Sequence, residues 1–92
     1  MIKSCDDLVR EVLLGKTPRK LPPDIVRRAK RKLEFLNAAT ELAFLQSIPG
    51  NHLKTLKGTK TTLHSMRIND QWRITFTWTG ADAENVAIVD YH

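Results

Sequence analysis

The sequence predicts an α+β protein in which N-terminal helices pack on one face of a small antiparallel β-sheet. Apolar residues recur with the 3.6-residue period of a helix in the first half of the chain. After Asn51 the period changes to two, as in strands, and short turn sequences separate the alternating segments. The chain has 92 residues, too few for two separate cores, so we expect one domain over residues 1–92.

The first predicted helix spans Cys5–Leu14 and follows an opening segment, Met1–Ser4, that suits a short edge strand. Asp6 and Asp7 suit the first turn of this helix, because carboxylates there meet unpaired N–H groups and the positive end of the helix dipole. Gly15 follows the helix at the position where a left-handed C-cap is expected.

Two further helices are predicted before the sheet. The second begins at Pro22-Pro23-Asp24, since proline is tolerated in a first turn whose N–H groups have no partner. Its apolar stripe follows the helical period and comprises Ile25, Val26, Ala29, Leu33 and Leu36. Thr40 is expected to cap a short third helix, which the turn sequence Pro49-Gly50-Asn51 ends.

Alternation predicts the strands of the second half. Thr62–Ile68 and Trp72–Trp78 carry apolar residues at every second position, and Val86–Val89 forms a last strand after a turn at Gly80-Ala81-Asp82. A basic strand-edge segment, NHLKTLKGTK (residues 51–60), precedes them. We expect the last strand to lie in the middle of the sheet, where it would keep the C-terminal residues ordered.

The register of the two central segments follows from matching their faces. Pairing Ile68 with Trp72 across a three-residue loop keeps the apolar side whole and places Arg67 opposite Arg73. The helices then cover the apolar side, and the opposite side is left open to solvent with Ser65, Arg67, Arg73 and Thr75. Two adjacent arginines repel each other, which favours an anion between them. The alternative is that both are solvated, or that Asp90 or Glu84 bridges one of them.

The positive charge is concentrated in one block. The net charge is +5, and eight basic residues between Lys16 and Lys32 face Asp24 alone. Such a block suits a polyanion or an acidic protein, and the alternative is a solvated helix face. The residues of this block that we expect to contact RNA are Arg27, Arg28, Arg31 and Lys32.

Several classes of site are not supported by the sequence. Cys5 is the single cysteine, so no internal disulfide forms, and no Cys/His pairs have zinc spacing. No apolar run approaches the roughly 20 residues that cross a bilayer, so we expect a cytoplasmic protein without a membrane partner. A two-metal nuclease site would have too few well-placed carboxylate ligands, because predicted turns contain Asp70, Asp82 and Glu84. We therefore expect no metal and no cofactor.

The residues that remain are rich in cations and proton carriers. They are His52, Lys54, Lys57, Lys60, Arg67, Arg73, Asp90, Tyr91 and His92. Metal-free cleavage of RNA needs this mixture, because a base takes the proton of the ribose 2′-OH, cations stabilise the phosphorane, and an acid protonates the leaving oxygen. Histidine suits either proton role, and Lys or Arg suits the charged role.

Several motifs in this order resemble the HigB toxins, a branch of the RelE superfamily. They are IPGNHLKTLKG, SMRINDQWRITFTW and the closing IVDYH, with MIKS and LNAATEL in the helical half. The resemblance implies a RelE-like microbial RNase toxin fold and a ribosome-dependent endoribonuclease that cuts messenger RNA in the A site of the 70S ribosome, beside 16S rRNA. It also implies an inhibitory HigA-like helix-turn-helix antitoxin, through which the toxin–antitoxin complex binds operator DNA.

The resemblance also assigns roles to individual residues. Lys57 and Arg73 match basic residues at the scissile phosphate, and Asp90, Tyr91 and His92 match the family's C-terminal catalytic triplet. His52, Lys54, Lys60 and Arg67 are expected to contact RNA.

The chain departs from the family at one position. Lys54 stands where members often carry a histidine, and His52 lies two positions away, which on a regular strand is the same face. Either residue could replace the family histidine, and His92 becomes a stronger candidate for proton transfer.

Two alternatives of another class remain: a non-catalytic basic nucleic-acid-binding module, and a toxin fold that survives as a protein that binds the antitoxin. Individual residues also have simpler interpretations. Lys57 could be a turn lysine, Tyr91 a half-buried core residue and His92 a frayed terminus. His64 shares the apolar face, so we predict a satisfied or boundary histidine there.

Overall fold

The computed structural model describes residues 1–57 and 62–90, and for Lys57 the backbone alone. Its helices are α1 (Asp7–Leu13), α2 (Pro23–Ala38) and α3 (Leu42–Ser47). Its strands are β1 (Lys54–Lys57), β2 (Thr62–Arg67), β3 (Trp72–Thr79) and β4 (Asp82–Asp90). The strands form an antiparallel sheet in the order β1-β2-β3-β4. The predicted α+β class, with helices before an antiparallel sheet, is confirmed.

Helix α1 begins later than predicted because Asp6 caps it. The Asp6 carboxylate accepts a hydrogen bond from the Val9 N–H at 2.9 Å, which satisfies one of the unpaired donors of the first turn. Cys5 therefore precedes the helix and forms a parallel bridge with Val86 of β4. Gly15 has a φ of 84° after the helix, as the sequence predicted.

Helix α2 packs its apolar stripe against the sheet. Pro23 occupies its first turn, and all five residues of the predicted apolar stripe are buried: Ile25, Val26, Ala29, Leu33 and Leu36. They pack with Met66, Ile74 and Phe76 of the central strands. The predicted cap of α3 is wrong, because Glu41 rather than Thr40 is the N-cap and makes no side-chain capping bond.

The register of β2 and β3 is the predicted one. The Ile68 N–H donates to the Trp72 carbonyl at 2.9 Å, and Arg67 lies opposite Arg73. The Asn69 side chain closes the three-residue loop by accepting hydrogen bonds from the Gln71 and Trp72 N–H groups at 2.9 and 2.7 Å. This loop therefore fixes which side chains share a face with Arg73.

Strand β4 begins at Asp82, four residues before the predicted start at Val86. Asn85 has a φ of 54° and the pairing with β3 shifts at this point, so a bulge interrupts the alternation that the sequence would have shown. Asp82 and Glu84 consequently lie in a strand, and the prediction that both fall in turns is wrong.

Strand β4 lies at one edge of the four-stranded sheet, and the prediction of a central position is wrong. The N-terminal segment covers part of this edge through bridges from Ile2 to Ala83 and from Cys5 to Val86, which agrees with the expected short edge strand. Among the helices of the described residues, none is both long and apolar enough to cross a bilayer.

Candidate active site

Arg73 is a buried cation near the start of β3, with 7% of the residue exposed. Its Nε donates a hydrogen bond to the Ser65 hydroxyl, and its Nη2 donates to the Ser65 carbonyl at 3.2 Å. Nη2 also donates to the His52 carbonyl at 3.1 Å. These bonds fix the plane of the guanidinium, and a fixed plane is what recognition of a phosphate by parallel N–H groups requires.

The face that carries Arg73 is less open than the sequence predicted. Ser65 is 4% exposed and Arg73 is almost as buried, whereas Arg67 and Thr75 are partly exposed. The difference arises because the segment before β1 lies beside the end of β2, where the Arg67 N–H donates to the Asn51 carbonyl at 2.7 Å. Burial lowers the effective dielectric around the Arg73 charge and so strengthens its attraction for an anion.

His52 contributes its backbone, and its side chain is exposed. Its φ of 44° places it in the left-handed region, and β1 starts only at Lys54. The expectation that His52 and Lys54 share a face by regular strand alternation therefore does not hold. Lys54 pairs directly with Ser65, so these two residues share one face of the sheet, the face of Arg73.

Asn51 connects the helical layer to this site and is 1% exposed. Its Nδ2 donates to the Leu45 carbonyl at the end of α3, and its Oδ1 accepts a hydrogen bond of 2.6 Å from Lys32 Nζ. Because Asn51 directly precedes His52, these bonds hold in place the backbone that accepts from Arg73. In the sequence, Asn51 indicated only the turn that ends α3.

Lys32 belongs to the same cluster of charges as Arg73. Partial burial lowers the pKa of Lys32, and the positive charges of Arg28, Arg67 and Arg73 lower it further. Arg67 forms an ion pair with Asp70, an acidic partner that the sequence did not suggest. These four cations from α2, β2 and β3 therefore produce a shared positive potential, which attracts anions.

Asp90 ends β4 beside the site. It pairs with Trp72, next to the pair formed by Val89 and Arg73, and its carboxylate accepts a hydrogen bond of 3.1 Å from Gln71 Nε2. Strand alternation places Asp90 with Trp72, on the opposite face from Arg73. Its proposed catalytic role remains a prediction.

The remaining predicted residues are distributed as follows. Lys57 ends β1 opposite Thr62. Lys60, Tyr91 and His92 lie outside the described residues. Arg27, Arg28 and Arg31 are exposed on α2, and of these Arg28 and Arg31 line a cavity together with Lys32. The structure thus groups Arg28, Lys32, Lys54 and Arg67 with Arg73 and leaves Arg27 outside this group.

His64 lies in the core, as predicted. It is 6% exposed, its ring centroid lies 5.4 Å from that of Phe76, and its Nδ1 is 3.0 Å from the Thr55 hydroxyl. Burial lowers the pKa of His64, so the neutral imidazole is favoured in the folded protein.

Ser65 lies on the predicted face, but its hydrogen bond to Arg73 was not predicted from the sequence. The available signal was the register, which puts Ser65 two residues before the partner of Arg73 on the same face. As a whole the site can orient a guanidinium, surround an anion with further cations and strengthen the interaction by burial.

The chain is similar to a known protein family and to two bacterial proteins. A family model described as a RelE-like toxin of type II toxin–antitoxin system HigB matches residues 6–92. Toxin HigB-1 of Vibrio cholerae is 37% identical over 70 residues, which cover 76% of this chain and 74% of that protein. An uncharacterized protein of Haemophilus influenzae is 30% identical over 81 residues, which cover 88% of this chain and 80% of that protein.

Proposed function

This chain belongs to the HigB-like family of RelE-like toxins of type II toxin–antitoxin systems, and we propose that it is a ribosome-dependent endoribonuclease. Its substrate is translated messenger RNA in the A site of the 70S ribosome, next to 16S rRNA. Cleavage there removes the message from translation and stops growth. The protein acts in the cytoplasm.

The observation that carries this proposal is the fixed, buried guanidinium of Arg73 among other cations. Ser65 and His52 hold two of its nitrogens, and Lys32 and Arg67 add positive charge nearby. A group already oriented and desolvated does not have to reorganise when charge develops in a transition state. Such a group suits the phosphorane formed during RNA cleavage better than it suits a merely structural role.

The proposed reaction is an intramolecular displacement. The ribose 2′-oxygen attacks the adjacent phosphorus, the bond from phosphorus to the 5′-oxygen breaks, and the products end in a 2′,3′-cyclic phosphate and a 5′-hydroxyl. A base accepts the 2′-OH proton, and an acid supplies a proton to the leaving 5′-oxygen. Arg73 and Lys57 stabilise the phosphorane, His92 carries a proton, and Asp90 and Tyr91 support these groups.

The proposed partners follow from the family. Membership implies an antitoxin, and we propose that it is a HigA-like helix-turn-helix protein through which the complex binds operator DNA. Contacts with ribosomal or messenger RNA are assigned to His52, Lys54, Lys60, Arg67, Arg27, Arg28, Arg31 and Lys32.

A second candidate function is RNA binding without cleavage. The observation that favours it is Lys54, which is exposed on the face of Arg73 where many relatives would offer a histidine. A lysine adds positive charge that strengthens binding to phosphate, whereas histidine is the residue suited to proton transfer at neutral pH.

Expression of the chain in a bacterial host tests the proposal. We expect induction to stop growth and protein synthesis, and we expect Arg73→Lys to restore both, because lysine keeps the charge but loses the planar donor group. Arg10→Lys is the matched control, since Arg10 is exposed and pairs only locally with Asp7. Unchanged growth with soluble, folded wild-type protein would contradict the proposal.

A further inference from the structure

A cavity of about 350 Å³ lies between α2 and the turn that follows α3. We call it the α2 cleft, and its lining includes Arg28, Arg31, Lys32, Phe35, Ile48 and Pro49. The cleft shares Arg28 and Lys32 with the cations near Arg73, and its remaining walls lie outside that site. Its volume is at the lower end of the range for small-ligand sites and is sufficient for one nucleotide.

The charge of the α2 cleft is uncompensated. Among the described residues, no ion pair joins Arg28, Arg31 or Lys32 to a carboxylate. Arg28 also lies close enough to Lys32 to lower its pKa. Like charges gathered around a concave surface raise the local concentration of anions, so the chemistry of the walls favours a phosphate.

One wall of the cleft is flat and suits a nucleobase. The guanidinium carbon of Arg31 lies 5.9 Å from the centroid of the Phe35 ring. Phe44 packs edge-on against Phe35, with 6.5 Å between the ring centroids, and this contact restrains the Phe35 ring. Unstacked RNA bases bind to aromatic rings and to arginine planes of this kind.

Hydrogen bonds connect the cleft to the Arg73 site. Lys32 lines the cleft. Its Nζ donates a hydrogen bond of 2.6 Å to Asn51 Oδ1 and one of 3.3 Å to the Gly50 carbonyl. The next residue, His52, accepts a hydrogen bond from Arg73. Two consecutive residues, Asn51 and His52, therefore link the cleft to the Arg73 site.

We propose that the α2 cleft is a second RNA subsite, which binds one nucleotide flanking the scissile phosphate. Arg28 and Lys32 hold its phosphate, and its base lies against Arg31 and Phe35. This inference rests on the proposed function for the identity of the ligand, single-stranded RNA. The subsite would hold the strand in register while Arg73 acts on the neighbouring phosphate.

Direct binding of an RNA that cannot be cut tests this inference. The probe is a fluorescently labelled hexaribonucleotide with 2′-O-methyl groups, measured by anisotropy with the full chain and without ribosomes. The cleft variant is Arg28→Ala/Arg31→Ala. The control is Arg19→Ala/Lys30→Ala, which removes two positive charges from exposed residues of the same basic block that do not line the cleft.

We expect the Kd of the cleft variant to rise at least tenfold and that of the control to rise less than threefold. A third variant, Phe35→Leu, should weaken binding of the normal probe about fivefold or more, because a stacking surface is lost, and should not change binding of an abasic probe. Thermal melts of all variants, read alongside, show which proteins are folded at the assay temperature.

Equal losses in the cleft variant and the control would overturn the inference, as would no measurable binding by the wild-type chain. The cleavage assay separates this outcome from failure of the proposed function. If the protein binds the probe through the cleft but never cuts RNA, the subsite stands and the proposed activity is refuted. If the protein cuts RNA but the cleft variant and the control bind the probe equally well, the proposed activity stands and the subsite is refuted.

Discussion

Replacing Ser65 with alanine removes one oxygen atom from the support of Arg73 and changes little else. The Ser65 hydroxyl accepts from Arg73 Nε in a position where Ser65 is 4% exposed, so water has little access to replace it. The backbone carbonyl of residue 65 still accepts from Nη2 in the variant. The substitution therefore tests orientation of the guanidinium rather than its presence.

The magnitude follows from the bond that is lost. A hydrogen bond to a charged group contributes about 1.5–3 kcal/mol, and we expect Ser65→Ala to lower the free energy of unfolding by that amount. A small domain has roughly 5–15 kcal/mol in total, so the variant should stay folded. Catalysis should fall about 10- to 100-fold, because a reacting group misplaced by about 1 Å costs up to about 10²-fold in rate.

Urea unfolding and ribosome-programmed cleavage measure the two effects of Ser65→Ala. The control is Ser47→Ala, which also removes a hydroxyl. The Ser47 hydroxyl donates an exposed hydrogen bond of 2.6 Å to the Phe44 carbonyl within α3. The control should cut at the parent rate. If Ser65→Ala also cuts at the parent rate and has the parent's stability, the serine does not orient Arg73 and the reasoning fails.

Two further predictions concern the groups around the site. Burial lowers the pKa of His64. Below a pH of about 6.5 the unfolded chain therefore binds more protons than the folded protein. The free energy of unfolding should decrease as the pH falls from there towards the pKa of His64 in the folded protein. Urea midpoints at pH 7.5 and pH 5 should show this loss, and a His64→Leu variant that shows the same loss would refute the assignment. Asn51→Ala removes the bonds to Lys32 and Leu45 and should lower the free energy of unfolding by about 2–4 kcal/mol. Asn37→Ala, which loses an exposed bond to the Ile2 N–H, should cost less than about 1.5 kcal/mol, and equal costs would contradict the connecting role of Asn51.

Periodicity predicted those parts of the fold that depend on local pattern. The apolar stripe of α2 was read directly from the 3.6-residue period, and the register that pairs Arg67 with Arg73 came from matching faces across a three-residue loop. Both depend on residues close together in the chain. For the same reason the sequence identified Arg73 as a residue on the face away from the helices.

The support of Arg73 could not be predicted in the same way because it depends on distant residues. Alternation assigns Arg73 to a face but does not show what covers that face, and the cover includes the His52 carbonyl, 21 residues earlier. The left-handed conformation at His52 also breaks the alternation on which the comparison with Lys54 relied. A bulge at Asn85 likewise interrupts the alternation of β4, so the first half of this strand was not predicted.

The chemistry of the cut RNA ends tests the central claim most directly. Ribosomes programmed with a defined message are incubated with the purified protein, and the new ends are mapped and assayed for phosphate. The account predicts cuts at the A-site codon, with a 5′-hydroxyl on one fragment, a 2′,3′-cyclic phosphate or 3′-phosphate on the other, and strong loss of cutting in Arg73→Lys. Ends carrying a 5′-phosphate, or unchanged cutting by Arg73→Lys, would contradict it.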